Sequence, residues 1–324
     1  LLLNSITVDN VSTTSDSLGL DVDANSTVTS LSVANITPVS IASGSSLFGG
    51  ITVTAGSLKL SEAGTLASTI SMSGGVLDAD ESSTVSGALS HTADITIDVA
   101  DNKTLTYSGA AISLGANTLT LSGGGSLVSG GLTLNDADSK LLLNSITVDN
   151  VSTTSDSLGL DVDNNSTVTS LTVAHTTPVS IAGSKILSGA ITVTAGSIKL
   201  DETGTLASTI AMSGGTLDAD NSSTLSGTLT QAGNITIDVA DDKTLTYSGD
   251  EISLGAYTLT MSGGGRFSNT NHLDLNNASS KLLLDSITVD SVRTSLASLG
   301  LDVDNDSTVT SLTVGHTTPV SIAS

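Results

Sequence analysis

Pairs of acidic residues separated by one position recur along this 324-residue chain. The run DVDANS begins at Asp21, DVDNNS at Asp161 and DVDNDS at Asp302. Oxygen ligands at alternate positions are the kind that Ca²⁺ prefers, whereas Asp and Asn also form tight corners and add charge. Both interpretations are open. The predicted cation ligands are Asp21, Asp23, Asp161, Asp163, Asp302 and Asp304.

The acidic runs depart from known calcium-binding loops. An EF-hand would need Gly where the chain has Ser26 and Glu where it has Ser32. The glycine-aspartate nonapeptide of calcium-binding β-rolls is also missing. We therefore expect no required cofactor, with Ca²⁺ as the candidate ligand.

Runs of Thr-x-Thr are a second candidate surface. They begin at Thr27, Thr52, Thr104 and Thr118 and recur in the later copies. Flat Thr arrays on a solenoid resemble those of ice-binding proteins, but outward Thr is also ordinary for a strand. The irregular intervals between the runs argue against one flat, registered array.

Residues for catalysis do not recur as a set. The chain has two Arg, Arg266 and Arg293, and His91 is replaced by Gln231 in the next copy. Polysaccharide-acting β-helix enzymes use paired carboxylates, and in this chain neither Arg recurs together with such a pair. The sequence predicts that the protein is not an enzyme, and a polysaccharide-acting enzyme is the alternative from a different class.

One segment interrupts the repetition. Residues Ser126–Asp138 give way to a segment that starts at Arg266 and is one residue longer. Such variation marks an exposed loop or a lateral contact, or else neutral drift at a bulge. If the segment contacts a partner, Arg266 and Phe267 are the expected contact residues, because Arg and aromatic side chains are enriched in interface cores.

The elements that carry these residues repeat at two scales. The run LLLNSITVDNVSTTSDSLGLDVD begins at Leu1 and again at Leu141, and a variant begins at Leu282. The repeats therefore span 1–140, 141–281 and, in part, 282–324. Within a repeat, short alternating strands begin roughly every twenty residues. Their predicted starts are Ile6, Leu31, Ile51, Ile70, Ile95, Ile112 and Leu132.

Strand, polar corner and strand at this spacing predict an all-β fold, a right-handed parallel β-solenoid. We expect about 20 residues per coil, seven coils per 140-residue repeat and about sixteen coils in one continuous segment over 1–324. Aliphatic ladders should fill the interior, with Thr and Ser ladders outside. A β-sandwich could use similar strands but does not predict the nested repeat. Because the chain starts and stops inside its repeat, we expect a much longer protein.

Composition excludes several functions. The formal net charge is −23, with 9 Lys and Arg against 32 Asp and Glu, so nucleic acid and anionic lipid are improbable partners. The chain has no Cys, which excludes disulfides and thiol chemistry. No apolar run is long enough for a membrane helix, so we expect no membrane insertion by this segment.

The runs ISLGANTLTLSGGGSLVSGGLTL, from Ile112, and ISLGAYTLTMSGGG, from Ile252, resemble the glycine-punctuated repeats of bacterial autotransporter passengers. They are also similar to filamentous-haemagglutinin-type adhesins. The resemblance implies a β-helix outside the bacterial cell or on its surface, acting as an adhesive fibre or adhesin stalk. The implied partners are neighbouring copies of the fibre or cell-surface and matrix glycans. A carbohydrate-binding adhesin face is the alternative.

Overall fold

The chain folds as a β-solenoid of about 16 turns with ~20 residues per turn. The computed structural model describes residues 1–322, and these contain strands, turns and no helix. Strands of successive turns pair in parallel, as in Leu58 beside Leu77 and Leu77 beside Ile97. The predicted fold class, an all-β parallel solenoid with a turn of about 20 residues, is confirmed.

The described residues form two compact units. One contains Leu1–Ser152 with Asp163–Thr169, and the other contains Thr153–Val162 with Ser170 onward. In each unit, a turn contributes one strand to a first sheet and one long strand or two short strands to a second sheet. The strands Thr147–Thr153 and Ser166–Val173 have residues in both units.

In the first unit, the second sheet holds the longer strands of the early turns. The strands of its first sheet are Leu2–Leu3, Leu20–Val22, Thr37–Ile41, Ser57–Leu60, Val76–Ala79, Ile95–Val99, Thr118–Ser122 and Lys140–Leu143. The strands of its second sheet are Thr7–Thr13, Ser26–Val33, Ser46–Val53, Thr65–Leu66, Thr69–Met72, Ser83–Val85, Leu89–His91, Thr104–Tyr107, Ile112–Ser113, Ser126–Val128 and Leu132–Leu134.

The second unit has the same two kinds of strand. The strands of its first sheet are Gly159–Val162, Thr177–Ile181, Ser197–Leu200, Thr216–Ala219, Ile235–Val239, Thr258–Ser262, Lys281–Asp285, Gly300–Asp304 and Val320–Ile322. The strands of its second sheet are Ile186–Val193, Thr205–Leu206, Thr209–Met212, Ser223–Leu225, Leu229–Gln231, Thr244–Tyr247, Ile252–Ser253, Arg266–Asn269, Leu273–Leu275, Thr288–Thr294 and Thr308–Val314.

The core consists of aliphatic ladders that run from turn to turn. In the first unit, Leu58, Leu77, Ile97, Leu121 and Leu143 are register partners in sequence, and each is at most 1% exposed. Period-2 alternation directs these side chains inward and the intervening polar ones outward. At about 25 cal/mol per Å² of apolar surface, this burial is the main favourable term for a chain with few aromatic residues.

The second unit repeats this ladder. Ile198, Leu217, Ile237, Met261 and Leu284 are successive register partners, and each is at most 1% exposed. Met stands where the first copy has Leu, which conserves volume in the interior. The predicted aliphatic interior is therefore confirmed in both units.

One predicted strand belongs to the other sheet. Ile95–Val99 pairs with Val76–Ala79 and Thr118–Ser122 in the first sheet, whereas Ile70 and Ile112 lie in the second. The strand in register with Ile70 is Leu89–His91, where His91 stands at a position that is apolar in other turns. Because His91 interrupts the apolar-polar alternation of this strand, the sequence pattern predicts a strand at the next apolar run, which begins at Ile95. The predicted strand start at Ile95 is confirmed, and its place in the other sheet explains the uneven intervals before and after it.

Glycine is required at one corner of the repeat. Gly19 has φ +78°, and a Cβ there would lie 1.8 Å from the carbonyl oxygen of Pro38 in the next turn. The same approach of backbone to proline recurs at Gly159 and Gly300. A residue without a side chain is needed both for the left-handed conformation and for the close contact.

Candidate functional site

The predicted acidic ligands lie along the first sheet and at the corner that follows it. Asp21 is beside Ser40 of the next turn, and Asp161 is beside Ser180. Asp302 lies between Leu283 and Ser321. Asp23, Asp163 and Asp304 are exposed at the corners. The outward register partners of Asp21 and Asp161 are therefore hydroxyl-bearing, whereas Asp304 lies beside Asp285 of the preceding turn.

The environment of these acids bears on the calcium prediction. Within residues 1–322, no group of three or more His, Cys, Asp or Glu side chains could hold a metal ion. Asp302 is ion-paired with Lys281, the Nζ–Oδ2 distance being 3.1 Å. Ca²⁺ takes six to eight oxygen ligands, and two alternate carboxylates supply only part of such a shell. Calcium binding at these residues stays a prediction.

A different acidic cluster forms where three turns stack, and the sequence patterns did not single it out. Lys59, Asp78, Asp98 and Ser122 are register partners on the outward side of the first sheet. Lys59 Nζ lies 3.1 Å from Asp78 Oδ2 and 2.7 Å from Asp80 Oδ2. Alignment of the runs SLKL, VLDAD and TIDVAD at the turn spacing would have revealed it.

Burial sets the acidity of this cluster. Desolvation raises the pKa of Asp78 above its usual value, although the hydrogen bond and charge of Lys59 act in the opposite direction. The hydrogen bond to Asp80 raises the pKa of Lys59. Ser122 donates a short hydrogen bond to Asp98. The cluster holds one cation against three carboxylates, and Lys59 and Ser122 each contact carboxylate oxygens in it.

The second copy reproduces the cluster. Lys199 Nζ lies 3.4 Å from Asp218 Oδ2 and 2.8 Å from Asp220 Oδ2. Burial, followed by the charge of Asp220, raises the pKa of Asp218. Ser262 donates to Asp238, as Ser122 does to Asp98. The cluster is thus a regular feature of the repeat.

The two predicted contact residues separate. Arg266 is exposed, and its NH2 lies 2.7 Å from Asp290 Oδ1. Phe267 is fully buried and stacks on Tyr247, with ring centroids 5.9 Å apart. Adjacent strand residues point to opposite faces, so one of the two must be internal. Phe267 presents no surface to a partner, which corrects the expectation for this residue, and Arg266 stays a predicted contact.

The interrupted segment is built from strands rather than a loop. Arg266–Asn269 and Leu273–Leu275 pair with neighbouring turns. The turn 270–272 between them has three residues, as 129–131 has in the first copy, so the extra residue lengthens the strand Arg266–Asn269. The buried amide of Asn269 donates to the carbonyl oxygens of Asn271 and Ser291 and accepts from the N–H of Ser291. The insertion therefore stays within the solenoid.

A three-residue ion network lies beside this turn. Arg293 NH2 is 2.7 Å from Glu251 Oε2 and 2.9 Å from Asp274 Oδ2, and Ser295 Oγ donates to Asp274 at 2.8 Å. The side chain of Asp274 is 4% exposed. Burial acts to raise its pKa, but hydrogen bonds from Arg293 and Ser295 outweigh this and hold the pKa below its usual value.

All three members of this network are substitutions relative to the preceding copy. Ala111, Thr133 and Ser152 occupy the equivalent sequence positions, and none is charged. Asp274 and Arg293 are register partners, so the new charges appear at stacked positions. A buried carboxylate without its cation would be costly, which explains why the replacements occur together.

An uncharged hydroxyl-bearing face runs along the second sheet. In the first unit, Ser12, Ser32, Thr52, Ser71 and Ser90 are successive outward register partners and are all exposed. Thr52 lies on this face, but the Thr-x-Thr runs do not all share one face, because Thr104 lies in the second sheet and Thr118 in the first. This division explains their irregular intervals.

The corresponding face of the second unit contains a shallow groove of about 360 Å³. Outward Thr192, Ala211 and Thr230 are register partners along it. The groove is lined by Ala190, Ile191, Thr192, Thr209, Ile210, Ala211, Thr228 and Thr230. It offers hydroxyl groups and small apolar side chains without any charge.

No helix within residues 1–322 is long and apolar enough to cross a membrane. No family model matches the chain, and the comparisons with curated proteins and with solved structures found no match. The solenoid fold and the surfaces above are therefore the basis for a functional argument.

Proposed function

We propose that the protein is a structural or adhesive segment of an extracellular or cell-surface bacterial fibre. The observation that carries the proposal is the repetition of one register. Leu58, Leu77 and Ile97 are partners in the first copy, and Ile198, Leu217 and Ile237 are their counterparts in the second. Each repeat has the same core ladder and the same surface clusters. It therefore lengthens the folded chain by the same amount, as in other repeat proteins.

Surface chemistry supports an extracellular structural role. The acidic excess of −23 keeps a repetitive chain soluble, and the hydroxyl-bearing face offers many equivalent contacts to a partner. Individually weak contacts gain strength when many act together on one chain. The proposed partners are neighbouring copies of the fibre or glycans of a surface or matrix.

Localisation on the producing cells tests the central proposal. Antibodies raised against residues 1–324 should label the outside of intact, unpermeabilised cells in extended arrays. Pre-immune serum and an antibody against a cytoplasmic protein are the controls. Labelling that appears only after permeabilisation would refute the proposal.

A carbohydrate-binding face is the second candidate, because the groove with Thr192, Ala211 and Thr230 has hydroxyl groups that can pair with sugars. A glycan array probed with the chain should then give a signal that Ala211→Lys abolishes. The control is Glu202→Lys, at an exposed corner outside the groove. Release of reducing or unsaturated ends from an acidic polysaccharide would instead support the enzyme alternative.

A further inference from the structure

The ring of His91 lies between carbonyl oxygens of two consecutive turns, and only its protonated form can donate a hydrogen bond to both. Its Nδ1 lies 3.2 Å from the carbonyl oxygen of Ala93, and its Nε2 lies 3.1 Å from the carbonyl oxygen of Ser113. A carbonyl oxygen can only accept. A neutral imidazole has one N–H donor and one acceptor nitrogen, so it satisfies one of the two contacts. The imidazolium ion has two donors and satisfies both.

The equivalent side chain of the second copy also donates two hydrogen bonds. Gln231 is the counterpart of His91, and its Nε2 donates to the carbonyl oxygens of Gly233 at 2.9 Å and Thr258 at 2.8 Å. Gly233 corresponds to Ala93, whereas Thr258 corresponds to Thr118, so the second acceptor of Gln231 lies at a different position from Ser113. An amide NH₂ group supplies two hydrogens at any pH, whereas imidazole supplies the second only when protonated.

We propose that His91 is a pH-sensitive contact between turns, which holds the corner after Leu89–His91 to the next turn in acid and loosens toward neutral pH. The proposal concerns stability of the fold and is independent of the proposed function. Histidine is the side chain that proteins commonly use to respond to changes of pH in natural environments.

The surroundings of His91 contain few competing charges. The strands packed against it, Thr69–Met72 and Ile112–Ser113, have no ionisable side chain. In the corner that follows, the ionisable group is Asp94, whose Oδ1 accepts the N–H of Thr118 at 2.7 Å.

Hydrogen exchange at pH 5.5 and pH 7.5, corrected for intrinsic exchange rates, tests the proposal in the intact chain. Amides of 89–94 and 112–115 should be about fivefold better protected at pH 5.5, the effect expected for one hydrogen bond. His91→Gln should abolish this difference, because the amide supplies both donors at each pH.

The second copy provides the reciprocal test. Gln231→His should create a pH-dependent difference in protection at 229–234, where the wild type has none. Equal protection at the two pH values in the wild type would overturn the proposal, as would a difference that persists in His91→Gln. Peptides from 205–212, which contain no histidine, serve as the internal reference.

Discussion

At the scale of residues, the copies keep the same strand positions, and side chains that contact one another differ together between copies. Ala111 and Thr133 of the first copy and Ser152 of the second correspond, one copy later, to Glu251, Asp274 and Arg293, and these three later residues form a connected ion network. The three residues that differ together are therefore also neighbours in space. Each member depends on the others, since a buried charge is stable only with its partner.

Arg293→Ala should destabilise the fold by about 2 kcal/mol, because Asp274 is left buried without its cation. Denaturant unfolding measures the loss. The triple variant Glu251→Ala, Asp274→Thr and Arg293→Ser restores the residue types of the first copy and should lie within about 1 kcal/mol of wild type. Equal losses in the single and triple variants would contradict the coupling.

The same network predicts a pH dependence. The pKa of Asp274 is lower in the folded chain than its usual value, so its contribution to stability is complete above about pH 4. That contribution is lost as the pH falls through the lower, folded-state pKa. The difference in unfolding free energy between wild type and Arg293→Ala should thus be constant from pH 5 to pH 7 and shrink toward pH 2.

Gly19→Ala should destabilise the first unit by about 2 kcal/mol or more, because a Cβ would lie 1.8 Å from the Pro38 carbonyl oxygen at a left-handed φ. Gly50→Ala is the matched control. Its Cβ would be 3.4 Å from the nearest atom, and the second copy has Ala190 there. Thermal unfolding of the two variants should differ clearly, and equal transitions would contradict the assignment.

At the scale of elements, the first sheet places charged side chains of three turns side by side. Asp78 is half-buried between Lys59 and Asp98, and its pKa is raised chiefly by burial. A carboxyl whose pKa is higher in the folded state stabilises the fold while protonated. This contribution is complete below its usual pKa and is lost as the pH rises through the raised value.

Asp78→Asn should therefore flatten the pH dependence of stability just above pH 4. Lys59 retains Asp80 as a partner at 2.7 Å, so the variant should fold. Asp218→Asn in the second copy is a parallel test, and Asp9→Asn, at an exposed position, is the control. The prediction is checked by unfolding titrations from pH 3 to pH 7, and an unchanged slope in Asp78→Asn would contradict it.

The architecture was accessible from the sequence, because alternation and the spacing of about twenty residues report directly on strands and turns. The surface clusters were not, since Lys59, Asp78 and Asp98 become neighbours only when the register is known. The burial of Phe267 illustrates the same limit: adjacent residues looked like one contact surface, but strand geometry directs them to opposite faces.

At the scale of the whole molecule, a net charge of −23 opposes folding through mutual repulsion. The carboxylates recur on the outward side of successive turns, as at Asp78 and Asp98, so the repulsion is built into the stacking. Cations should relieve it by screening, whether or not any of them is bound at a defined position.

Raising NaCl from 20 mM to 300 mM should therefore increase the melting temperature. Ca²⁺ at matched ionic strength should add a further increase only if the acidic corners with Asp21, Asp161 and Asp302 bind it. Melts with CaCl₂, with MgCl₂ and with chelator separate the two effects. Identical transitions in Ca²⁺ and Mg²⁺ would argue against a calcium site, and no response to NaCl would contradict the repulsion argument.

The junctions between repeats have a genetic consequence. Leu121 pairs with Leu143 where the first copy meets the second, and Met261 pairs with Leu284 where the second meets the third. Both joints use the same register, although the second copy carries an extra residue in its strand Arg266–Asn269. Recombination between the matching stretches of DNA would then delete or duplicate a whole block and still leave a chain able to fold. Populations of the producing organism should carry alleles whose lengths differ by multiples of about seven turns.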